Sequence, residues 1–503
     1  GARYYSWLIS SFVAALCAVK SKETAFTLPF MVLLCEFAFF KSSARTIAIR
    51  LVPFVFVVLL IPLDAYLWNY GQEAGLIETI GRSTIETDGL TRYQYFLTQF
   101  RVIATYLRLL ILPINQNIDY DYAISTGIFG PNVLCSLALH LSLLTAAFWL
   151  IIRNRKEEGN GLLTVAGFGI VWFYLALSVE SSIIPIRDVI FEHRLYLPSF
   201  GMILAVLSLA AYFTELTGKR AWFIQAVTFG ILLCAILAYS VATFNRNELW
   251  KSGLKLWEDA VIHSPSKARA YHGVAYFKAV KGMNSEAIPH FKKALELLDF
   301  PLIRLNLAIS YRNLGRFDEA RMELEKVVKT APGTPDAVNL LALTYMKLGR
   351  DEDALMVLTD PATKNDKDPD ILNTTGTVYA QMEDFEHAEE YFEKAHALKP
   401  ENVEIVNNLA RLYEKFGHID KGIRAAKRVT ELDSKSHVAA NLLGSFCLKK
   451  GEWAKAKVQF EKAVALAPDN PKYKKNLEIC NTLLINSIVN SKASKPLSTG
   501  LIR

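Results

Sequence analysis

Residues 308–320 read Ala308-Ile309-Ser310-Tyr311-Arg312-Asn313-Leu314-Gly315-Arg316-Phe317-Asp318-Glu319-Ala320, and their small and aromatic positions return at a fixed interval along the chain. Small residues stand at Ala308, Ala342, Gly376, Ala410 and Gly444, 34 residues apart each time, and three positions later come Tyr311, Tyr345, Tyr379, Tyr413 and Cys447. A second small position keeps the same register at Ala320, Ala354, Ala388, Gly422 and Ala456, with prolines at Pro332, Pro400 and Pro468. A unit of this length is a helix pair that cannot bury its apolar face alone, so successive units stack into a right-handed solenoid with a concave groove.

The interval is that of the tetratricopeptide repeat. Five regular units and an earlier one carrying Gly273, Tyr276, Ala287, Phe291 and Ala294 predict six repeats over residues 267–468. A linker helix is expected at 246–266, a capping helix at 469–487 and a disordered tail at 488–503. Asparagines recur at Asn339, Asn373, Asn407 and Asn441, with Asn306 one position further along its helix. On the helix that lines the groove, such amides make a ladder able to bond the backbone of an extended polypeptide whatever its sequence. Simple tolerance of asparagine at a solvent-facing position accounts for the same spacing.

Upstream of the repeats the composition changes. The chain has 503 residues, is 52% hydrophobic and has a mean hydropathy of +0.21, too apolar for an ordinary soluble protein. Asp, Glu, Lys and Arg number 32 in residues 1–245 and 73 in residues 246–503, which places the boundary near Asn245. Apolar windows near 4–19, 23–40, 50–68, 131–152, 161–178, 196–214 and 222–244 predict about seven membrane spans. The fold class is therefore all-α, a polytopic helical membrane domain followed by an α-solenoid.

Short basic loops at 41–50, 153–156 and 219–220 mark the cytoplasmic side by the positive-inside rule. Residues 95–112 are apolar but carry Arg101 and Arg108 on one helical face, and a span there would move the 153–156 loop outside. An amphipathic helix in the outer interface, or a re-entrant one, satisfies both arginines and the charge rule. The polar clusters then share one side, with the repeats: Lys20-Ser21-Lys22-Glu23, residues 69–130 with Asp119 and Asp121, and residues 186–199.

The strongest local motif is Asp188-Val189-Ile190-Phe191-Glu192-His193-Arg194-Leu195-Tyr196-Leu197-Pro198-Ser199, at the mouth of the sixth span. Ionisable groups bordering a bilayer are costly unless paired or functional, and a salt-bridged helix terminus is the plain alternative to a site. Net charge of +7 without a basic tract interleaved with aromatics argues against nucleic acid. The six cysteines have neither disulfide nor metal-ligand spacing and read as core thiols. Phosphate-binding glycine loops, zinc signatures and nucleophile elbows are absent from the sequence.

Ser21-Lys22-Glu23 ahead of Thr27-Leu28-Pro29, Leu112-Pro113 leading to Asp119-Tyr120, the Glu192 to Ser199 motif, then Arg246-Asn247 and Trp250 running into repeats, together resemble the transmembrane and tetratricopeptide-repeat (TMTC-like) protein O-mannosyltransferases and their bacterial relatives. The resemblance covers nearly the whole chain, and the Glu-His-Arg form is closer to the bacterial members. It implies a C-type glycosyltransferase membrane fold that moves a sugar from a polyprenyl-phosphate donor to a protein hydroxyl. The setting would be the bacterial inner membrane with periplasmic repeats, or the ER membrane with lumenal ones. Implied donor-phosphate ligands are Lys22, His193 and Arg194, with Arg101 or Arg108; Glu23, Asp119 and Glu192 remain as candidate acids, with no metal site assigned. In such enzymes the key acid lies in the first external loop. This sequence begins Gly1-Ala2-Arg3 and reads as a fragment that starts beyond that point. Rival readings are a membrane-anchored repeat scaffold, which needs only one span, and a lipid-linked glycan ligase or flippase sharing the basic pocket.

Overall fold

The computed structural model describes residues 2–21, 23–40, 42–68, 90–156, 160–181, 188–216 and 221–493, and the regular structure among them is entirely helical. The chain divides into two compact units, Gly1–Phe277 and Lys278–Arg503. Lys22 lies outside the described residues, as do the side chain of Glu23 and most of the expected tail.

The first unit contains α1 (Ala2–Ser21), α2 (Leu28–Phe39), α3 (Ala44–Trp68), α4 (Arg92–Ile111), α5 (Pro131–Lys156), α6 (Gly161–Leu177), α7 (Tyr196–Leu216), α8 (Ala221–Trp250) and α9 (Gly253–His263). Helix α10 (Ala268–Val280) straddles the division. Each apolar window coincides with a helix. Among the described residues, three stretches are long and apolar enough to cross a membrane: Pro131–Asn154, Glu192–Leu216 and Trp222–Trp250. The apolar helix Gly161–Leu177 has 17 residues, about 26 Å at 1.5 Å per residue against a hydrocarbon core of about 30 Å.

Helix α6 is the hub of the apolar helices, and small residues put it there. A Cβ on Gly169 would stand 2.2 Å from the carbonyl oxygen of Gly201 on α7, and one on Gly167 would stand 2.5 Å from that of Ala147 on α5. Backbones that close are available only to glycine and alanine, the usual device for helix association without a hydrophobic driving force. Leu34, Ala38, Ala147, Ile151, Phe168, Val171 and Ala205 fill the surrounding core. Helix α8, by contrast, exposes Trp222, Phe229, Ile231, Ile236 and Phe244, the surface expected of a helix facing lipid. Cys135 and Cys234 are exposed on α5 and α8, and Cys17 on α1, so these three are not core thiols.

The second unit contains α11 (Asn284–Leu297), then the helix pairs α12 (Pro301–Asn313) with α13 (Phe317–Thr330), α14 (Pro335–Lys347) with α15 (Asp351–Thr359), α16 (Pro369–Gln381) with α17 (Phe385–Leu398), α18 (Val403–Phe416) with α19 (Ile419–Leu432), and α20 (His437–Lys449) with α21 (Trp453–Leu466). Helix α22 (Pro471–Ala493) follows and runs past the expected end of the cap at residue 487.

Sizes are matched inside each pair. The first-helix small position faces a second-helix position 16 residues on: Gly376 meets Phe392 and Gly444 meets Phe460, whereas Ala308, Ala342 and Ala410 stand opposite Leu324, Leu358 and Ala426 in the same register. Glycine appears where the partner is phenylalanine. A Cβ on Gly376 would sit 2.8 to 3.0 Å from the Phe392 ring. Gly376→Ala should therefore destabilise the array by about 1 kcal/mol, overpacking of about 2 kcal/mol outweighing a helix-propensity gain of about 1. In a Phe392→Leu background the same change should stabilise, and thermal unfolding of the four-protein cycle reads that reversal.

The turn inside each pair needs a left-handed residue. Gly315, Gly349, Gly417 and Gly451 supply it at φ between 70° and 81°, and the equivalent residue of the third regular pair is Glu383 at φ 65°. A side chain there costs about 1 kcal/mol. Glu383→Gly should raise the melting temperature of the array, and an unchanged or lower value refutes strain at this turn.

Candidate functional site

Helix α4 organises the polar end of the first unit. Its N-terminus is closed by a capping box in which the Thr91 side chain accepts from Gln94 N–H, and its buried stripe carries polar groups as well as Val102 and Leu109. Tyr95 donates to the Glu180 carbonyl (2.7 Å), Gln99 Nε2 donates to that of Val189 (3.1 Å), and the Tyr106 hydroxyl accepts from Phe191 N–H (3.0 Å). These bonds hold the backbone that leads into Glu192. At the other end of α4, Tyr239 of α8 donates to the last carbonyls, Leu110 (2.9 Å) and Ile111 (2.8 Å), which no turn of helix follows to satisfy.

The loop after α4 is folded against this frame. Arg101 donates to the Ala123 carbonyl (2.9 Å) and to Ser125 Oγ (3.2 Å) and lies over the Tyr122 ring, and Arg108 donates to the Ile114 carbonyl (3.0 Å). One guanidinium nitrogen of each makes these hydrogen bonds. Glu192 is half-buried, and its Oε1 accepts from Asn117 N–H (2.7 Å) and the Tyr120 hydroxyl (2.6 Å). Burial, and then the negative charge of Glu192, push the Tyr120 hydroxyl far above its ordinary pKa, while the nearby Arg108 charge works the other way. Tyr120 thus keeps its proton and donates it to Glu192. Among the described residues Glu192 Oε2 has no hydrogen-bond partner.

Asp119 is differently placed. It is 3% exposed, and its Oδ2 accepts from Arg269 Nε at 2.8 Å. The other two nitrogens of Arg269 donate to Asp188 at 3.0 and 3.2 Å. Burial alone works against the Arg269 charge, but the two carboxylates outweigh it and hold the guanidinium above its usual pKa. Around this bridge, Asn117 Nδ2 donates to Ser264 Oγ (2.7 Å), Ser264 Oγ accepts from Asp121 N–H (2.9 Å), and Ser266 donates to the Asp121 carboxylate. The α9–α10 hairpin that supplies Ser264, Ser266 and Arg269 is itself packed through close approach: the Phe277 ring lies against Gly253 and the Trp257 ring against Gly273.

The site residues expected from sequence therefore separate into groups. Tyr120 and Glu192 come together, the Arg108 charge acts on Tyr120, and Arg101 lies on the same helix face as Arg108. His193 is exposed beside the Phe191 ring. Arg194 is buried, paired with Glu180 (3.2 Å), donating to the Asp188 (3.0 Å) and Val189 (3.4 Å) carbonyls and lying over Phe191. That makes it a strut for the segment carrying Glu192. Among the described residues no group of three His, Cys, Asp or Glu side chains converges as a metal site.

In the repeats, the asparagines point along the array. Asn339 Oδ1 accepts from Thr374, Asn373 Oδ1 from Asn408 (3.0 Å) and Asn441 Oδ1 from Asn476 (2.8 Å), each donor 35 residues further on. The corresponding residue for Asn407 is Leu442, and Asn407 Oδ1 is buried with no hydrogen-bond partner among the described residues. Asn306, Asn339 and Asn407 are half-exposed, while Asn373 and Asn441 are buried.

The repeats match known families. A family model for the N-terminal tetratricopeptide region of Psidin matches residues 310–439, and a tetratricopeptide repeat model matches residues 438–470. The chain is 27% identical over 208 residues to mouse protein O-mannosyl-transferase TMTC1 and 28% identical over 217 residues to the human protein, in each case covering 40% of this chain. The matched stretch spans 21% and 23% of the length of those relatives. Among solved structures, a tetratricopeptide repeat protein of Parabacteroides merdae is 17% identical, with 49% of this chain and 97% of that one covered and a TM-score of 0.39. A thermophilic repeat protein of Thermus thermophilus is 21% identical, with 36% and 100% covered and a TM-score of 0.32. The second unit is a tetratricopeptide solenoid, a fold that generally mediates protein–protein interaction, and the apolar helices make the chain a membrane protein.

Arg269, Asn117 and Glu180 carry no sequence signal of their own. Arg269 sits in the least regular repeat, 150 residues from Asp119, and only packing brings them together. Arg269→Ala should cost the first unit about 2–3 kcal/mol by stranding the buried Asp119 carboxylate. Limited proteolysis of the full chain in detergent checks this through faster cleavage at 112–130, with Asp119→Asn in the Arg269→Ala background recovering part of the loss.

Proposed function

We propose that the chain belongs to a membrane glycosyltransferase of the C-type fold, with about seven spans in residues 1–245. It moves a hexose, mannose or a similar sugar, from a polyprenyl-phosphate donor to a Ser or Thr hydroxyl of a protein bound by the repeat groove. The observation that carries this reading is Glu192, a carboxylate held on one oxygen by Tyr120 and Asn117 at the head of an apolar helix, with the Arg108 charge acting on Tyr120. The similarity to O-mannosyl-transferases supports the reaction class.

In the transfer step the acceptor oxygen bonds to the anomeric carbon as the bond from that carbon to the phosphate oxygen breaks. The bonding pair leaves on the polyprenyl phosphate, and the hydroxyl proton passes to Glu192 Oε2. Asp119 is the weaker choice for that role because Arg269 occupies it, and Glu23 and Lys22 complete the candidate set. The free N–H groups of Arg101 and Arg108, with exposed His193, meet the developing phosphate charge, where a fixed cation near a low-dielectric boundary is worth most. Arg194 contributes by holding the segment in place. No metal enters this scheme.

A lipid-borne donor suits a site at the end of membrane helices, and a protein acceptor suits a repeat groove. Half-exposed Asn306, Asn339 and Asn407 are the amides an extended acceptor would meet first. The basic loops and the Glu-His-Arg form favour a bacterial inner membrane with the repeats in the periplasm.

Radiolabelled sugar transfer from polyprenyl-phosphate donors to protein, in membranes containing the protein, is the test. Glu192→Gln should lower transfer by about 10²–10⁴-fold, and Arg108→Ala should lower it with donor affinity. Full activity in Glu192→Gln removes the assigned base. No transfer by the folded protein with any donor moves the scaffold reading ahead.

A further inference from the structure

The repeat array is electrically divided. Residues 317–414 carry 21 acidic and 10 basic side chains, a net of −11, and residues 415–475 carry 14 basic and 6 acidic, a net of +8. The sign changes where Glu389 of α17 pairs with Lys421 of α19 at 2.7 Å. On α19 the residues Lys421, Arg424, Lys427 and Arg428 are all exposed, a basic face with a three-to-four-residue repeat. On α17 the exposed face carries Glu386, Glu390 and Glu393.

Each half also carries an apolar feature. In the basic half a groove of about 450 Å³ runs between α19, α20 and α21, with Lys427, Lys450 and Lys455 on its rim and Ile423, Leu443 and Val458 among its lining residues. Val458 is 59% exposed there. In the acidic half Met356 of α15 is 63% exposed next to Glu352, one turn away. Met356 and Val458 stand on second helices of the repeats, and the groove beside Val458 is floored by Leu443 and Cys447 of the first helix α20.

We infer that this surface pairs with a second copy of the chain, antiparallel about a two-fold axis near the α17–α19 junction. That axis sets α17 of each copy against α19 of the other and α15 against α21. Glu386, Glu390 and Glu393 then face Lys421, Arg424 and Arg428, and Met356 enters the groove at Val458. An array with adjacent halves of opposite sign is complementary to itself only in this sense. Because both halves are satisfied twice, the assembly closes as a dimer and does not extend into a filament. Exposed ion pairs contribute little each and are screened by salt, so they set register and orientation while Met356 and Val458 provide the dry centre.

The test is sedimentation of the full chain in detergent at about 0.05 M and about 0.5 M salt, where the screening length falls severalfold. Dimer should dominate at low salt and weaken at high salt. Lys427→Glu and Arg424→Glu, both exposed and outside the proposed transferase site, should each weaken it about tenfold, or ~1.4 kcal/mol. Glu390→Lys added to Arg424→Glu should restore it, and Met356→Cys with Val458→Cys should cross-link copies under oxidation. A monomer at low salt overturns the inference. So does a dimer indifferent to salt and to these reversals, which would assign association to the apolar helices. Capture of a glutamate-rich peptide or of anionic vesicles by a monomeric chain also overturns it, in favour of that occupant.

Discussion

An ionised carboxylate almost out of contact with water requires a cation, and in the first unit Arg269 meets that requirement for Asp119. The same guanidinium reaches Asp188, so one side chain ties together the loop after α4, the segment before α7 and the α9–α10 hairpin. Glu192 owes its position to this arrangement. Its two donors, Asn117 N–H and Tyr120, belong to the loop that Arg269 and Ser264 pin down, and its own backbone is held by α4 and by buried Arg194. Charges at the end of apolar helices are thus spent mostly on one another. Among the described residues, what stays available is one carboxylate oxygen of Glu192 and guanidinium N–H groups of Arg101 and Arg108, the groups on which the proposed transfer reading rests.

The repeats follow a different rule, one of volume and of backbone sign. Phe392 and Phe460 are tolerated because Gly376 and Gly444 give up a methyl group opposite them, and the turns close because four of five positions have glycine at positive φ. Glu383 departs from the second pattern and Leu442 from the amide ladder. Each departure leaves a local cost, a strained turn and an orphaned Asn407 carbonyl, that the 34-residue register makes visible. The charge division at residue 414 overlies this register without disturbing it, because exposed positions are free to vary while buried ones are not.

Helix class, the apolar helices and the solenoid were legible in the residues themselves. Periodicity and hydropathy depend on which side of a helix is apolar, and that is written locally in the order of side chains. The Glu192 motif stood out for the same local reason, four ionisable groups in seven residues beside an apolar run. Tertiary structure alone decided which ionisable groups were left over. In the sequence Arg194 and Asp119 look as available as Glu192, but Glu180 occupies the first and Arg269, 150 residues away, the second. Pairing of charges is settled by three-dimensional proximity and burial, and no spacing along the chain encodes a partner 150 residues away.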